Sequence, residues 1–301
     1  MPVIKVQHLS KNFGSLQAVD DLSFEVHPGQ VFGFLGQNGS GKSTTIRMLL
    51  SLIHSTAGTI EIFGDSLQKK RSEILEQVGA VIERPDLYPY LTALEHLKLF
   101  AKVRKKHIHA SQIADTLEKV GLSDRAKDKV QTFSLGMKQR LGIAIALVHN
   151  PSLIILDEPT NGLDPQGIAD IRTLIQYLSD DEKKTIFFSS HLLSEVQYLA
   201  NQLLIIHKGK KIVEGSTTEL LDPQKRIVQI KTMNDGETKN IISETGWGNY
   251  LLPRPEGIFF EIPLEEIPAL NEALVKEGVR LIGIESTNSL EDFFLRITSN
   301  S

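Results

Sequence analysis

The sequence predicts an α/β fold, with a largely parallel sheet over residues 1–221 and a small α+β unit over residues 222–301. Three observations predict it. Short apolar runs alternate with helix-period segments through the first part, the pattern of strands joined by crossover helices. One of those runs, QVFGFLG (Gln30–Gly36), ends in glycine and leads through a Gly-rich loop into a helical pattern. The charge balance also changes along the chain: 13 acidic and 8 basic residues lie beyond Leu221, against 24 acidic and 25 basic before Asp222. The shift falls near Leu220–Arg226, where Asp222-Pro223 is a turn signal.

Taken in order, VIKVQHL (from Val3) and LSFEV (from Leu22) read as strands, with Ala18–Asp21 between them. QVFGFLG is a buried strand, and KSTTIRMLLSLI follows with Ile46, Leu49, Leu50 and Ile53 at helical spacing. TIEIFG is again a strand, and residues 92–129 read as mostly helical. LIILDEP (from Leu153) and KTIFFSSH (ending in His191) are β-rich runs separated by the helical GIADIRTLIQYLSD. NQLLIIHKGKKIVEGS is a hairpin through Lys208-Gly209. Beyond it, IVQIKT and GIFFEIP are strands and Ile267–Lys276 a helix, followed by RLIGIES and a closing helix SLEDFFLRI.

A chain of 301 residues is long enough for one or two domains with a full core. A net charge of −4 supplies no electrostatic case for nucleic acid, whose binders carry a basic surplus. The absence of cysteine excludes a disulfide framework, thiolate catalysis and Cys-based metal sites. MPVIKVQHLSKNF lacks the pattern of a signal peptide, and IAIALV (from Ile143) falls far short of the roughly 18 apolar residues of a membrane span. Any membrane role is therefore expected to come through a partner.

GQNGSGKST (Gly36–Thr44) fits G-x-x-x-x-G-K-[ST] between a strand and a helix, the context of a phosphate-binding loop. Its backbone N–H groups, from Gly36, Gln37, Asn38, Gly39, Ser40 and Gly41 onward, suit phosphate oxygens. Lys42 supplies a cation, and Ser43, followed by Thr44, places a hydroxyl to ligate Mg²⁺. In LIILDEP an apolar strand ends in Asp157, suited to holding Mg²⁺, and Glu158, suited to polarising an attacking water. His191 falls just past a strand, at the carboxyl edge where α/β sheets bind ligands. In TFSLGMKQRLGIAIALVHNP (from Thr132), Ser134 caps a helix whose N-terminus suits an anion, and Gly136 permits close approach.

With these residues in hand, the chain resembles the nucleotide-binding subunit of ABC transporters over about Val3 to Leu221. GQNGSGKST is similar to Walker A, IILDEP to Walker B, NGLD (ending in Asp164) to the D-loop, and His191 to the switch histidine. FSLGMKQR stands where the family carries its LSGGQ signature; Ser134 and Gly136 match, while Leu135 and Met137 depart from it. Phe13 stands where the family stacks an aromatic on adenine. Glu83 aligns with the Q-loop glutamine, with Gln77 as the other candidate; Glu83 and SLGMKQRLGIA look like the bacitracin- and lantibiotic-resistance subgroup. A carboxylate at Glu83 binds Mg²⁺ more strongly than an amide but adds negative charge beside the phosphates.

The resemblance implies a P-loop NTPase, an ABC-type ATPase core with an antiparallel β subdomain and a helical subdomain, plus the small C-terminal α+β domain. It implies ATP and Mg²⁺ as ligands. It also implies a head-to-tail dimer in which Ser134, Leu135, Gly136 and Met137 close on nucleotide held by the second copy. A separately encoded polytopic membrane subunit would dock on RPDLYPYLT, with Tyr88 and Tyr90 as anchors, placing the chain on the cytoplasmic face of the membrane. The basic run KVRKKHIH (from Lys102) reads as a solvated helix end, with contact to anionic lipid head groups as the other reading. The competing reading, a soluble ABC ATPase acting on the ribosome or DNA, expects two cassettes in one chain or a long coiled coil. This chain shows one cassette and no sustained heptads.

Overall fold

A computed structural model describes residues 1–103, 107–220, 225–252 and 257–287. The chain divides into two compact units, Met1–Ser216 and Thr217–Ser301. In the first unit the order is β1 (Ile4–Phe13), β2 (Leu16–Val26), β3 (Val31–Leu35), α1 (Lys42–Leu49), β4 (Ala57–Ile62), β5 (Asp65–Ser66), α2 (Arg71–Leu75) and β6 (Val78–Val81). It continues through α3 (Ala93–Val103), α4 (Ala110–Lys119), α5 (Leu135–Leu147), β7 (Leu153–Leu156), α6 (Pro165–Asp180), β8 (Thr185–Ser190), α7 (Leu193–Leu199), β9 (Gln202–His207) and β10 (Lys210–Ser216).

Two sheets result. A six-stranded sheet runs β10-β9-β3-β8-β7-β6, parallel except for the edge strand β10, which returns through the Lys208-Gly209 turn. Its central strands β3, β7 and β8 are buried at every position, as continuous apolar runs are when helices cover both faces. A second, antiparallel sheet runs β2-β1-β4-β5. Phe24 of β2 joins the two, stacking on Phe32 of β3 and Phe187 of β8 with ring centroids 5.8 and 6.0 Å apart.

Ala18–Asp21, read from sequence as a break between strands, lies inside β2. The strand is irregular there rather than interrupted: the β1–β2 register shifts between Leu9 and Asn12. Asp21 takes φ 51° while its N–H donates to the Ser10 hydroxyl, so a side chain replaces the lost ladder bond. The helical stretch expected over residues 92–129 contains α3 and α4. Short α2, β6 and α7 are too brief to show a period, and the sequence did not reveal them.

Two close approaches explain glycines in this unit. A Cβ on Gly33 would lie 2.5 Å from Val196 Cγ1, so α7 packs directly on β3. A Cβ on Gly142 would lie 2.7 Å from Pro85, so α5 sits against the loop after β6.

The second unit holds α8 (Thr217–Leu220), β11 (Lys225–Thr232), α9 (Asp235–Ser243), β12 (Ile258–Pro263), α10 (Ile267–Lys276) and β13 (Leu281–Thr287). Its antiparallel sheet has the order β12-β11-β13. Val228, Ile230, Phe260, Ile242, Leu270 and Leu274 form a separate core. The polar α9 was not legible as a helix; Asn234 caps it by accepting from the Glu237 N–H. The expected closing helix SLEDFFLRI and the turn at Asp222 lie outside the described residues.

Candidate functional site

The loop after β3 has the backbone its glycines require. Gly39 and Gly41 take φ 80° and 107°, and a Cβ on Gly41 would lie 2.5 Å from the Ala18 carbonyl oxygen. A Cβ on Gly36 would meet the Ser40 hydroxyl at 2.4 Å. Lys42 opens α1, is only 5% exposed, and donates to the carbonyls of Gly36 at 2.7 Å and Gln37 at 3.3 Å. Its ammonium is thus bent back over the loop, at the place a phosphate would occupy.

Next to it, β7 ends in Asp157 and Glu158. Asp157 is 1% exposed; Oδ1 accepts from the Ser189 hydroxyl at 2.6 Å, while Oδ2 has no partner among the described residues. Glu158 takes φ 50°, and its N–H donates to the same Ser189 hydroxyl at 2.9 Å. Its carboxylate bridges two groups: Oε1 lies 3.2 Å from Lys42 Nζ and Oε2 lies 2.6 Å from His191 Nδ1. In α7, which follows His191, the buried Glu195 is clamped by Arg172 of α6 at 2.6 and 3.1 Å.

Lys42, Asp157 and Glu158 line a cleft of about 690 Å³, while His191 lies outside its lining, in contact with Glu158. Phe13, half exposed at the end of β1, and Leu16 form its apolar part, with Lys11 Nζ 4.9 Å from the Phe13 ring centre. Asn38, Gly39, Gly41, Lys42, Ser43 and Thr44 form its floor. Asp157, Glu158, Glu83, Arg84 and Asn161 form its charged and polar part. Glu83 takes φ 56° and its carboxylate meets Arg47 Nη2 of α1 at 2.5 Å. Of the two candidates for the Q-loop position, Glu83 lines the cleft; Gln77, which precedes β6, does not. An orphaned carboxylate oxygen on Asp157 and the Ser43 hydroxyl, which lines the same cleft, are hard-oxygen donors, which fit Mg²⁺.

Ser134 caps α5, accepting from the Met137 N–H at 3.2 Å. Asp164 caps α6 in the same way, accepting from the Gly167 N–H at 2.9 Å. The two helix starts adjoin: a Cβ on Gly136 would lie 3.6 Å from Gly167 Cα, and the Leu135 side chain 3.7 Å from one on Gly162. None of Ser134, Leu135, Gly136 and Met137 lines the cleft of their own chain. Sequence reasoning missed Ser189, Arg47 and Arg84; only Arg84, adjacent to Glu83, carried a signal that could have found it.

A phosphate loop beside a strand ending in two carboxylates, with a half-exposed aromatic at the cleft's apolar end, defines a P-loop nucleoside-triphosphatase cassette. The ABC transporter family matches residues 19–161. The bacitracin transport ATP-binding protein BcrA of Bacillus licheniformis is 42% identical, covering 98% of this chain and 97% of its own. The lantibiotic transport ATP-binding protein SrtF of Streptococcus pyogenes is 41% identical over 70% of this chain and 90% of its own. A solved ATP-binding subunit of an ABC transporter superposes with a TM-score of 0.64 at 29% identity, covering 72% of this chain and 91% of its own. The chain belongs to the ABC transporter ATP-binding proteins, and it is an ATP-binding, ATP-hydrolysing subunit. No helix among the described residues is long and apolar enough to cross a membrane.

Proposed function

We propose that two copies of the chain bind two ATP molecules head to tail and drive a separately encoded membrane subunit that exports peptide antibiotics or other amphipathic compounds. The observation that carries the dimer is that the capped N-terminus of α5 offers an anion site, yet none of Ser134 to Met137 lines the cleft of its own chain, which α5 reaches further along, through Gln139. A second copy supplies the missing phosphate. The export reading is supported by the bacitracin and lantibiotic transport relatives, and the exposed Tyr88 and Tyr90 suit docking of the membrane partner at the cytoplasmic face. Every motif residue falls within residues 1–221, and residues 222–301 take an accessory role.

In this reading Phe13 stacks on the adenine and Lys42 takes the β- and γ-phosphates, giving up its contact with Glu158. Ser43, Asp157 and Glu83 would hold Mg²⁺, which neutralises charge on the phosphates when bound. Glu158, released from Lys42, accepts a proton from the water whose oxygen attacks the γ-phosphorus. The bond to the β-phosphate oxygen breaks, leaving ADP and phosphate. His191, released from Glu158, donates to a γ-phosphate oxygen, and the Ser134 helix start and Asp164 loop of the second copy complete the enclosure. Glu158→Gln lowers steady-state phosphate release by about 10²-fold or more while ATP still binds by calorimetry. A wild-type rate in that variant removes Glu158 from the role.

A further inference from the structure

Glu83 puts a third carboxylate into a cleft that already holds Asp157 and Glu158 and must accept a polyphosphate. The structure assigns two arginines to this problem, in different ways. Arg47, on the phosphate-loop helix α1, pairs with Glu83 at 2.5 Å and so partly offsets its charge. Arg84 lines the same cleft, yet its side chain has no ion pair or hydrogen bond among the described residues. Its Nη2 lies 3.3 Å from where a Cβ on Gly162 would sit, close after Glu158 and Asn161. The guanidinium therefore stands beside Gly162, the residue that follows the cleft residue Asn161. The loop that carries it is constrained on both sides, by Glu83 in the left-handed region and by Pro85 against Gly142.

We propose that Arg84 is a phosphate-binding residue of this site: its planar fork takes oxygens of the terminal phosphate of ATP, while Arg47 serves only as counter-charge to Glu83. An unpaired guanidinium beside a polyphosphate site forms charge-assisted, two-pronged hydrogen bonds that a lysine reproduces in part. A contact with the terminal phosphate distinguishes ATP from ADP. The proposal rests on the assignment of the cleft to ATP.

The test measures ATP and ADP affinities of the full chain by calorimetry for Arg84→Gln, Arg84→Lys and Arg47→Gln, each with Glu83 and with Glu83→Gln. Arg84→Gln weakens ATP by about tenfold or more and ADP by less than about threefold, in both backgrounds, and Arg84→Lys recovers part of the loss. Arg47→Gln weakens ATP only while residue 83 is a carboxylate. Wild-type ATP affinity in Arg84→Gln overturns the proposal, as does an equal loss of ATP and ADP. A loss that disappears with Glu83→Gln also overturns it, because Arg84 then acts through Glu83 alone. Lys42→Ala serves as the control: unchanged ATP affinity there refutes the cleft assignment itself. A weakened Lys42→Ala beside a wild-type-like Arg84→Gln refutes only the role of Arg84.

Discussion

Glu158 holds Lys42 and His191 at once, at 3.2 and 2.6 Å, so the group proposed as general base and the two proposed to face phosphate restrain one another. Lys42 is 5% exposed, and a buried ammonium without a counter-charge is costly, which explains why the carboxylate is drawn to it. Backbone shape matters as much as charge at this scale. Gly41 combines φ 107° with a carbonyl oxygen 2.5 Å from any added Cβ. Gly41→Ala is expected to cost about 1–3 kcal/mol of stability and to distort the phosphate loop. Denaturant unfolding together with ATP calorimetry measures both effects; a variant equal to wild type in both contradicts the strained-loop account.

At the scale of elements, α5 is the joint of the first unit. Its N-terminus carries the Ser134 cap, its Gly142 admits Pro85 of the loop that bears Glu83 and Arg84, and its start adjoins the Asp164-capped α6. A shift of this helix therefore reaches the loop that bears Glu83 and Arg84 directly, by packing rather than through a long chain of contacts. Ser134→Arg places a bulky cation at the helix start that, in the proposed dimer, the second copy's phosphate must reach. It is expected to abolish ATP-driven dimerisation of the Glu158→Gln protein in sedimentation velocity while leaving monomer ATP binding intact. Dimers of normal stability in that variant contradict the in-trans role of the stretch. In the proposed dimer, Leu135 and Met137 leave the Ser134 hydroxyl and the N–H groups of the first turn as the donors offered to phosphate.

For the whole molecule, ATP that binds only the folded cassette raises its stability by about 2.7 kcal/mol at a hundred times its dissociation constant. Scanning fluorimetry with ATP and Mg²⁺ is expected to show a higher unfolding midpoint, absent in Lys42→Ala; an equal shift in that variant places the binding elsewhere. Strands β3, β7, β8 and β9 of the parallel sheet were legible because each is a contiguous apolar run, and the phosphate loop because its nine residues act through their own backbone; β6, at the sheet edge, was not. Helix α9 and the continuity of β2 were not legible, since a capping Asn and a side chain standing in for a ladder bond leave no hydrophobic period. The sequence by itself determined the fold class, the phosphate loop, the Asp157-Glu158 pair and the position of His191 past its strand. Only the tertiary structure decided how these groups are paired. Ser189 reaches Asp157 across 32 residues and Arg47 reaches Glu83 across 36, separations at which chain order carries no information about contact. Those pairings are set by the strand order, which brings β7 beside β8 and carries the loop after β6 onto α1.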